Sequence, residues 1–112
     1  IVADPSKICS HLTGPIPIEI IPFSFSHVIR RLNEIGGMVT VREGVKKDGP
    51  VISDNGNIIL DYTPVSIPDP SALETAINMI PGVVSCGIFA EFTSKTTVII
   101  GEESGPRIIG LP

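Results

Sequence analysis

The chain has 112 residues and a net charge of −4; 42% of its residues are apolar and 18% charged, and glycine and proline each occur 11 times. This composition is typical of one globular, turn-rich domain, or of one domain plus part of another, and it excludes a disordered chain. The acidic balance argues against a nucleic-acid partner, and no apolar run approaches the length of a membrane span.

The first segment, IVADPSK (1–7), is an apolar stretch that runs into an Asp-Pro turn. This pattern predicts the last residues of a buried strand and the turn that leaves it. A native N-terminus is more often polar and frayed, so we expect the sequence to begin in mid-fold. Lys7 stands just past the turn, where α/β proteins place ligand contacts, although a lone lysine is more often simply solvated.

The next three segments predict a strand, a helix and a strand. Residues 15–22 alternate isoleucine with proline or glutamate, which is the two-residue period of a strand. Residues 23–37 follow the helical period and end in a Gly-Gly pair, with Ser24 or Ser26 as the N-cap. Residues 38–44 then form the second strand. The buried stripe of the helix is predicted to comprise Phe25, Val28, Ile29, Leu32 and Ile35.

The second half of the chain repeats this order. Asp54-Asn55-Gly56 lies between two apolar runs and predicts a hairpin turn, because Asn-Gly tolerates the positive φ angles of a tight turn. Asp69-Pro70 predicts the start of a second helix and Pro81-Gly82 its end. The predicted buried stripe of this helix is Leu73, Ala76, Ile77 and Ile80. The strands expected after it are 83–92, 96–101 and, as a short candidate, 107–111.

From about residue 16 to 90 the order is strand, helix, strand, strand, helix, strand. This is the split βαβ order of a ferredoxin-like α+β domain, with two helices on one face of an antiparallel sheet. We therefore predict a mixed α/β chain in which a small ferredoxin-like domain at 15–91 is inserted into a larger α/β domain. Residues 1–14 and 92–112 would contribute strands to an incomplete, parallel, Rossmann-like sheet of that larger domain.

No complete catalytic or metal site is visible in the residue pattern. His11 and His27 lack cysteine or carboxylate partners at metal-ligand spacing, which predicts surface or capping roles. GEESGP (101–106) has no P-loop lysine and predicts a turn with two solvated acids. Cys9 and Cys86 have no CxxC partner and lie in apolar contexts, which predicts buried free thiols in a reducing compartment, the cytoplasm.

Several linked motifs, in order, closely resemble the C-terminal half of ribose-5-phosphate isomerase, type A. They are IVADPSK, PIPIEIIPF, VREGVKKDGPVISDNGNIILD, IPDPSALETAINMIPGVVSCGIF and TTVIIGEESG. The family has a strand ending in Asp-x-Ser-Lys, a Thr-Asp-Asn-Gly-Asn turn and an Ile-Pro-Gly-Val-Val segment before Gly-Leu-Phe. The chain departs from that pattern at Ser53, where threonine is common, at Ile88, where leucine is common, and in EESGP, which replaces an Asp-Gly turn.

The resemblance implies the reversible conversion of ribose 5-phosphate to ribulose 5-phosphate through an enediol, with no metal or organic cofactor. The family's catalytic base is a glutamate that lies upstream of the matched segments, so no catalytic residue is carried over to this chain. The one substrate-binding residue that matches is Lys7, the lysine of Asp-x-Ser-Lys. Glu19, Asp54 and Asp61 are expected to form turns, hydrogen bonds within the small domain and contacts between subunits.

Two functional hypotheses remain open. In the first, the chain is the C-terminal part of a cytoplasmic pentose-phosphate isomerase and is inactive without its N-terminal half, supplied in cis or in trans. In the second, it is a non-catalytic ferredoxin-like module for ligand binding or oligomerisation. The mean hydropathy of +0.37 predicts covered apolar surface in both cases. We expect a homo-oligomer, a dimer or a tetramer, with a sugar phosphate as the substrate.

Overall fold

A computed structural model describes residues 1–110. The central four-stranded sheet grows from the alternating segment near residue 16, whose isoleucines are fully or almost fully buried while Pro17 and Glu19 point to the other face. In chain order the strands and helices are β1 (Val2–Ala3), β2 (Ile16–Ile20), α1 (Phe25–Ile35), β3 (Met38–Val41), β4 (Ile58–Thr63), α2 (Pro70–Asn78), β5 (Val83–Cys86), β6 (Thr97–Glu102) and β7 (Gly105–Gly110). Short 3-10 helices cover Pro5–Lys7, Pro22–Ser24 and Thr93–Lys95.

The central sheet has the strand order β3-β4-β2-β5, and every neighbouring pair is antiparallel. Strand β4 is inserted between β2 and β3, which run in the same direction because both are antiparallel to β4. This is the predicted split βαβ arrangement. Side chains from one face of the sheet and from both helices form a single core, whose members include Ile18, Ile20, Val28, Leu32, Leu60, Tyr62 and Ile77.

Helix α1 begins where the sequence predicted, directly after Ser24. The Ser24 hydroxyl does not cap a helix amide, however; it donates to the carbonyl oxygen of Ile21 at 2.8 Å. Helix α2 begins with the predicted cap, since Asp69 Oδ1 accepts from the amide of Ala72 at 3.0 Å. The expected burial of Ala76 on α2 and of Ile35 at the end of α1 is wrong: both residues are exposed.

Glu74 takes a buried place on α2 that the apolar pattern did not predict, and only 6% of it is exposed. A buried carboxylate requires a hydrogen-bond partner. Glu74 Oε2 accepts from the amide of Glu91 at 2.9 Å, and this contact ties α2 to the segment that leads into β6.

The second sheet contains one strand from the beginning of the described chain and two from its end, in the order β1-β6-β7. β1 runs parallel to β6, as expected for strands of a parallel sheet, with Val2 opposite Ile99 and Ala3 opposite Ile100. β6 and β7 form an antiparallel hairpin, so this sheet is mixed. Glu102 belongs to β6 and pairs with Arg107 at 2.7 Å, which corrects the expectation of two solvated acids in 101–106.

Three other expectations require correction. The strands predicted at 38–44 and 83–92 end early, at Val41 and Cys86. Cys86 is buried as predicted, but Cys9 is exposed, because it lies in the loop between β1 and β2. The candidate strand at 107–111 is part of β7 as far as residue 110, and its last residue lies outside the described range.

Candidate functional site

Lys7 lies at the carboxyl end of β1 in a turn that its own sequence builds. Asp4 precedes the 3-10 helix Pro5–Lys7, and its Oδ1 accepts from the amide of Ser6 at 2.8 Å. Pro5 occupies the first helical position, where a missing N–H costs nothing. The amide of Lys7 donates to the carbonyl of Asp4 at 3.2 Å and closes the turn. The lysine side chain is therefore presented, exposed, just beyond a parallel strand.

Of the two charged side chains in this turn, Lys7 is the one that can bind an external ligand. Hydrogen bonds from the side chain and the amide of Ser6 lower the pKa of Asp4, and Lys7 lowers it further. Asp4 is therefore a carboxylate at neutral pH, already used by the turn. Lys7 forms no ion pair within residues 1–110, so its ammonium is available to an external anion.

The sheet that contains β1 carries one ion pair among the described residues, on the β6–β7 hairpin. Ala3 lies opposite Ile100 on β6, and the Lys7 turn that follows Ala3 packs against β6. Glu102 is the last residue of β6, and Arg107 Nε donates to its Oε1 at 2.7 Å. This carboxylate is therefore already paired. Lys7 can therefore bind an anion. The carboxylates of Asp4 and Glu102 accept hydrogen bonds from Ser6 and Arg107, so neither is free to accept a substrate proton.

Glu19 and Asp61 lie on β2 and β4 of the four-stranded sheet and Asp54 lies in the turn before β4, so none of them lies in the turn that carries Lys7. Glu19 Oε1 accepts from Ser53 Oγ at 2.6 Å, from Asn57 Nδ2 at 2.9 Å and from Asn55 Nδ2 at 3.1 Å. These hydrogen bonds, that of Ser53 first, lower the pKa of Glu19. The carboxylate thus fastens the predicted turn, closed by the hydrogen bond from the Gly56 amide to the Ser53 carbonyl, onto β2.

Asp61 has a similar structural use. Arg42 binds it through two hydrogen bonds, Nη2 to Oδ1 at 2.6 Å and Nε to Oδ2 at 3.1 Å. This fork is a charge-assisted, bidentate contact on the face of the sheet that the helices do not cover. Asp61 and Glu19 therefore make the hydrogen bonds within the domain that the sequence led us to expect.

Replacing Glu19 with glutamine should destabilise the chain at pH 7 and have much less effect near pH 3. The folded-state pKa of Glu19 is lowered, so its stabilising contribution is present above the ordinary glutamate pKa, about 4.3, and is lost as the pH falls through the lower folded value. Urea-unfolding midpoints at the two pH values measure this. Glu103→Gln, in the exposed β6–β7 turn, is the control, and an equal shift of the Glu19→Gln midpoint at both pH values contradicts the prediction.

His11 lies in the loop between β1 and β2, and His27 lies on α1. Within residues 1–110 no three side chains among His, Cys, Asp and Glu converge on a position that could hold a metal ion. His11 is exposed, as predicted. His27 is not a plain surface residue: its Nε2 atom is buried and has no hydrogen-bond partner among the described residues. The helical spacing of apolar residues did not predict the burial of this atom, because that spacing indicates which side chains face the core and not which polar atoms find hydrogen-bond partners.

No helix within the described residues is both long enough and apolar enough to cross a membrane.

The chain matches the family model for ribose 5-phosphate isomerase A (phosphoriboisomerase A) over residues 1–105. It is 42% identical to the ribose-5-phosphate isomerase A of Methanoregula boonei over 112 residues, which are 100% of this chain and 47% of that protein. It is 46% identical to that of Thermosynechococcus vestitus over 104 residues, 91% of this chain and 43% of that protein. The chain thus spans about half the length of these curated relatives.

Two solved structures extend this likeness to the fold. The ribose 5-phosphate isomerase A of Methanocaldococcus jannaschii superposes with a TM-score of 0.88 at 43% identity, covering 98% of this chain and 48% of that one. A D-ribose-5-phosphate isomerase in complex with phospho-erythronic acid superposes with a TM-score of 0.86 at 38% identity, with the same coverage of 98% and 48%.

Proposed function

The chain belongs to the ribose 5-phosphate isomerase A family, and on that premise we propose that it supplies the C-terminal half of an enzyme that interconverts ribose 5-phosphate and ribulose 5-phosphate. The structural observation that carries the proposal is the placement of Lys7. Its ammonium is exposed at the carboxyl end of a parallel strand and has no ion-pair partner within residues 1–110. Ligands of open α/β sheets bind at this kind of edge.

Lys7 would bind an anionic oxygen of the sugar phosphate. Converting an aldose to a ketose moves a proton between neighbouring carbons and leaves negative charge on an enediolate oxygen, which needs a donor or a cation close by. The carboxylates of Asp4 and Glu102 are held by Ser6 and Arg107, so the base would come from the other half of the enzyme. The relative in complex with phospho-erythronic acid, by its name a phosphorylated acid, supports an anionic ligand for the family fold.

We propose that residues 1–14 and 92–112 belong to the larger, catalytic α/β domain and that 15–91 form the small inserted domain. The parallel pairing of β1 with β6 supports this division, because the whole four-stranded sheet lies between these two strands in the sequence. The other edge of β1 is unpaired within the described residues. Exposed apolar side chains cross this sheet in register at Val2, Ile99 and Ile108. The N-terminal half, in cis or in trans, would cover them.

We also propose that the enzyme is a cytoplasmic homo-oligomer. The thiols of Cys9 and Cys86 are both free, which is compatible with a reducing compartment. Large apolar side chains are exposed on the small domain as well as on the second sheet, and Phe23 is an example. Association with a second copy of the chain would bury such a surface.

Activity should depend on the missing half. The joined protein for this test consists of the part of the M. jannaschii isomerase that precedes its matching segment, followed by this chain. We expect the joined protein to convert ribose 5-phosphate to ribulose 5-phosphate and the 112-residue chain alone to give no turnover above a blank, because the base is supplied only by the added half. The intact M. jannaschii enzyme is the positive control. A folded but inactive joined protein would favour a non-catalytic module, and turnover by the chain alone would contradict the division of the site.

A further inference from the structure

The turn before β4 contains the only Asn-Gly pair in the sequence, Asn55-Gly56, and both residues are exposed to water. Asparagine is chemically labile, and most so before glycine, because glycine has no side chain to shield its backbone nitrogen. The fold does not shield this nitrogen either, since a Cβ added at Gly56 meets nothing within 4 Å. The other asparagines, Asn33, Asn57 and Asn78, precede glutamate, isoleucine and methionine.

Deamidation at such a pair is an intramolecular substitution. The backbone nitrogen of Gly56 attacks Cγ of Asn55 and forms a new C–N bond. The Cγ–Nδ2 bond breaks, and Nδ2 leaves as ammonia with the proton that Gly56 gives up. Water then opens the cyclic imide at either carbonyl carbon, which yields aspartate or isoaspartate. No oxidation state changes, so water is the only co-reactant.

Hydrogen bonds hold both reacting groups in the folded turn. The amide of Gly56 donates to the carbonyl of Ser53 at 2.9 Å, and Asn55 Nδ2 donates to Glu19 Oε1 at 3.1 Å. The attacking nitrogen must lose its proton and the leaving amide must turn towards it, so both bonds have to break before the ring closes. A local opening of the turn therefore precedes the reaction.

Glu19 is the group that fastens this turn to β2. Its Oε1 accepts from Ser53 Oγ and Asn57 Nδ2 as well as from Asn55. Hydrogen bonds to an ionised acceptor are roughly twice as strong as those between neutral groups. We propose that Asn55 is a site of spontaneous deamidation and that the Glu19 carboxylate restrains this reaction in the folded protein. The proposal does not depend on the isomerase reaction.

The product of the reaction weakens the same contact. Aspartate or isoaspartate at position 55 replaces the donor that faces Glu19 with a carboxylate, so two like charges meet where a hydrogen bond had been. Isoaspartate also passes the main chain through the former side chain and adds one carbon to the turn, which disturbs the bridge between Ile52 and Ile58. Deamidation therefore loosens the turn from β2, and refolding does not reverse it.

Peptide mapping by mass spectrometry during incubation of the 112-residue chain at neutral pH tests the proposal. We expect aspartate and isoaspartate to accumulate at Asn55, whereas Asn57, in the same turn, stays intact. In Glu19→Ala the rate at Asn55 should rise roughly 10- to 100-fold, the ratio that corresponds to losing a hydrogen bond to a charged group. Glu19→Gln keeps a neutral acceptor and should give an intermediate rate.

Gly82→Ala is the matched control for a loss of overall stability. Its added Cβ collides with Ser24 and destabilises the packing of α1 and β5 without touching the turn. We expect its rate at Asn55 to stay close to that of the unmodified chain. Circular dichroism checks that each variant is folded, and Glu19→Gln decides the comparison if Glu19→Ala is not.

The unmodified chain in concentrated guanidinium chloride gives the unrestrained rate. A folded chain that deamidates at Asn55 as fast as the unfolded one would overturn the proposal. Equal acceleration by the Glu19 variants and by Gly82→Ala would also overturn it, because protection would then come from overall stability and not from Glu19. So would an Asn55 that stays intact in the Glu19 variants.

Discussion

Replacing Lys7 with alanine is expected to lower kcat/KM for ribose 5-phosphate by roughly 100- to 1000-fold in the joined protein, as is typical for removing one donor that stabilises a developing oxyanion. Lys7 has no ion pair within residues 1–110, so the substitution removes a charge without leaving a protein carboxylate unpaired. The turn that carries Lys7 is closed by backbone groups and by Asp4, so the fold should not change. Steady-state kinetics of the variant measure the loss.

Lys95→Ala is the control for this substitution. Lys95 is exposed and, like Lys7, is the last residue of a three-residue 3-10 helix, but it does not follow a parallel strand. We expect its removal to leave the kinetics unchanged, and Lys7→Arg to retain part of the activity because the positive charge remains. Equal losses for Lys7→Ala and Lys95→Ala, or no loss for Lys7→Ala, would contradict the proposed role.

The two kinetic constants also distinguish what Lys7 binds. If its ammonium holds the phosphate equally in the ground state and the transition state, Lys7→Ala raises KM and leaves kcat unchanged. If it faces the enediolate oxygen, whose charge develops during the reaction, kcat falls. Either result keeps Lys7 in the site and defines its contact.

Replacing Gly82 with alanine is expected to lower the free energy of unfolding by about 2–4 kcal/mol, the sum of a positive-φ penalty and an overpacking penalty. The φ angle of Gly82 is +100°, and an added Cβ would lie 2.1 Å from Cβ and 2.2 Å from Oγ of Ser24. Ser24 cannot easily move away, since it is buried and its hydroxyl is bonded to the carbonyl of Ile21. Urea unfolding measures the change.

Gly49→Ala separates the two penalties. Gly49 has a φ angle of +99°, nearly the same as Gly82, but an added Cβ there meets nothing within 4 Å. Gly49→Ala should therefore lower the free energy of unfolding only by the backbone penalty, about 1 kcal/mol. If both variants lose the same stability, the close approach of Ser24 to Gly82 does not matter energetically.

The order of elements in the small domain could be predicted because each boundary has a local chemical cause. Asp69 caps α2 through its own carboxylate, and the turn before β4 closes within five residues, from Ser53 to Asn57. The burial of Glu74 could not be predicted, because its partner is the amide of Glu91, well beyond the helix. The exposure of Cys9 was missed for a related reason, since apolar neighbours in sequence do not ensure neighbours in space.

The candidate site was only partly predictable. A strand followed by an Asp-Pro turn was enough to place Lys7 at a sheet edge, because that geometry is local. The charged surroundings depend on the pairing of β1 with β6, whose residues are far apart in the sequence. The full exposure of Phe23 left no periodic signal: Phe23 precedes Phe25, the first residue of the predicted buried stripe, and nothing in that spacing shows that its side chain is fully exposed.

Parallel neighbours cannot be joined by a tight turn and need a crossover that carries the chain back to the starting end of the sheet. Between β1 and β6 the crossover is the small domain itself, with a core of its own. The pairing of β1 with β6 constrains only the points of exit and return, so the length and surface of this connection can vary while Val2 stays opposite Ile99. If 15–91 form a separate domain as proposed, exchanging this segment between relatives should leave the Lys7 turn in place.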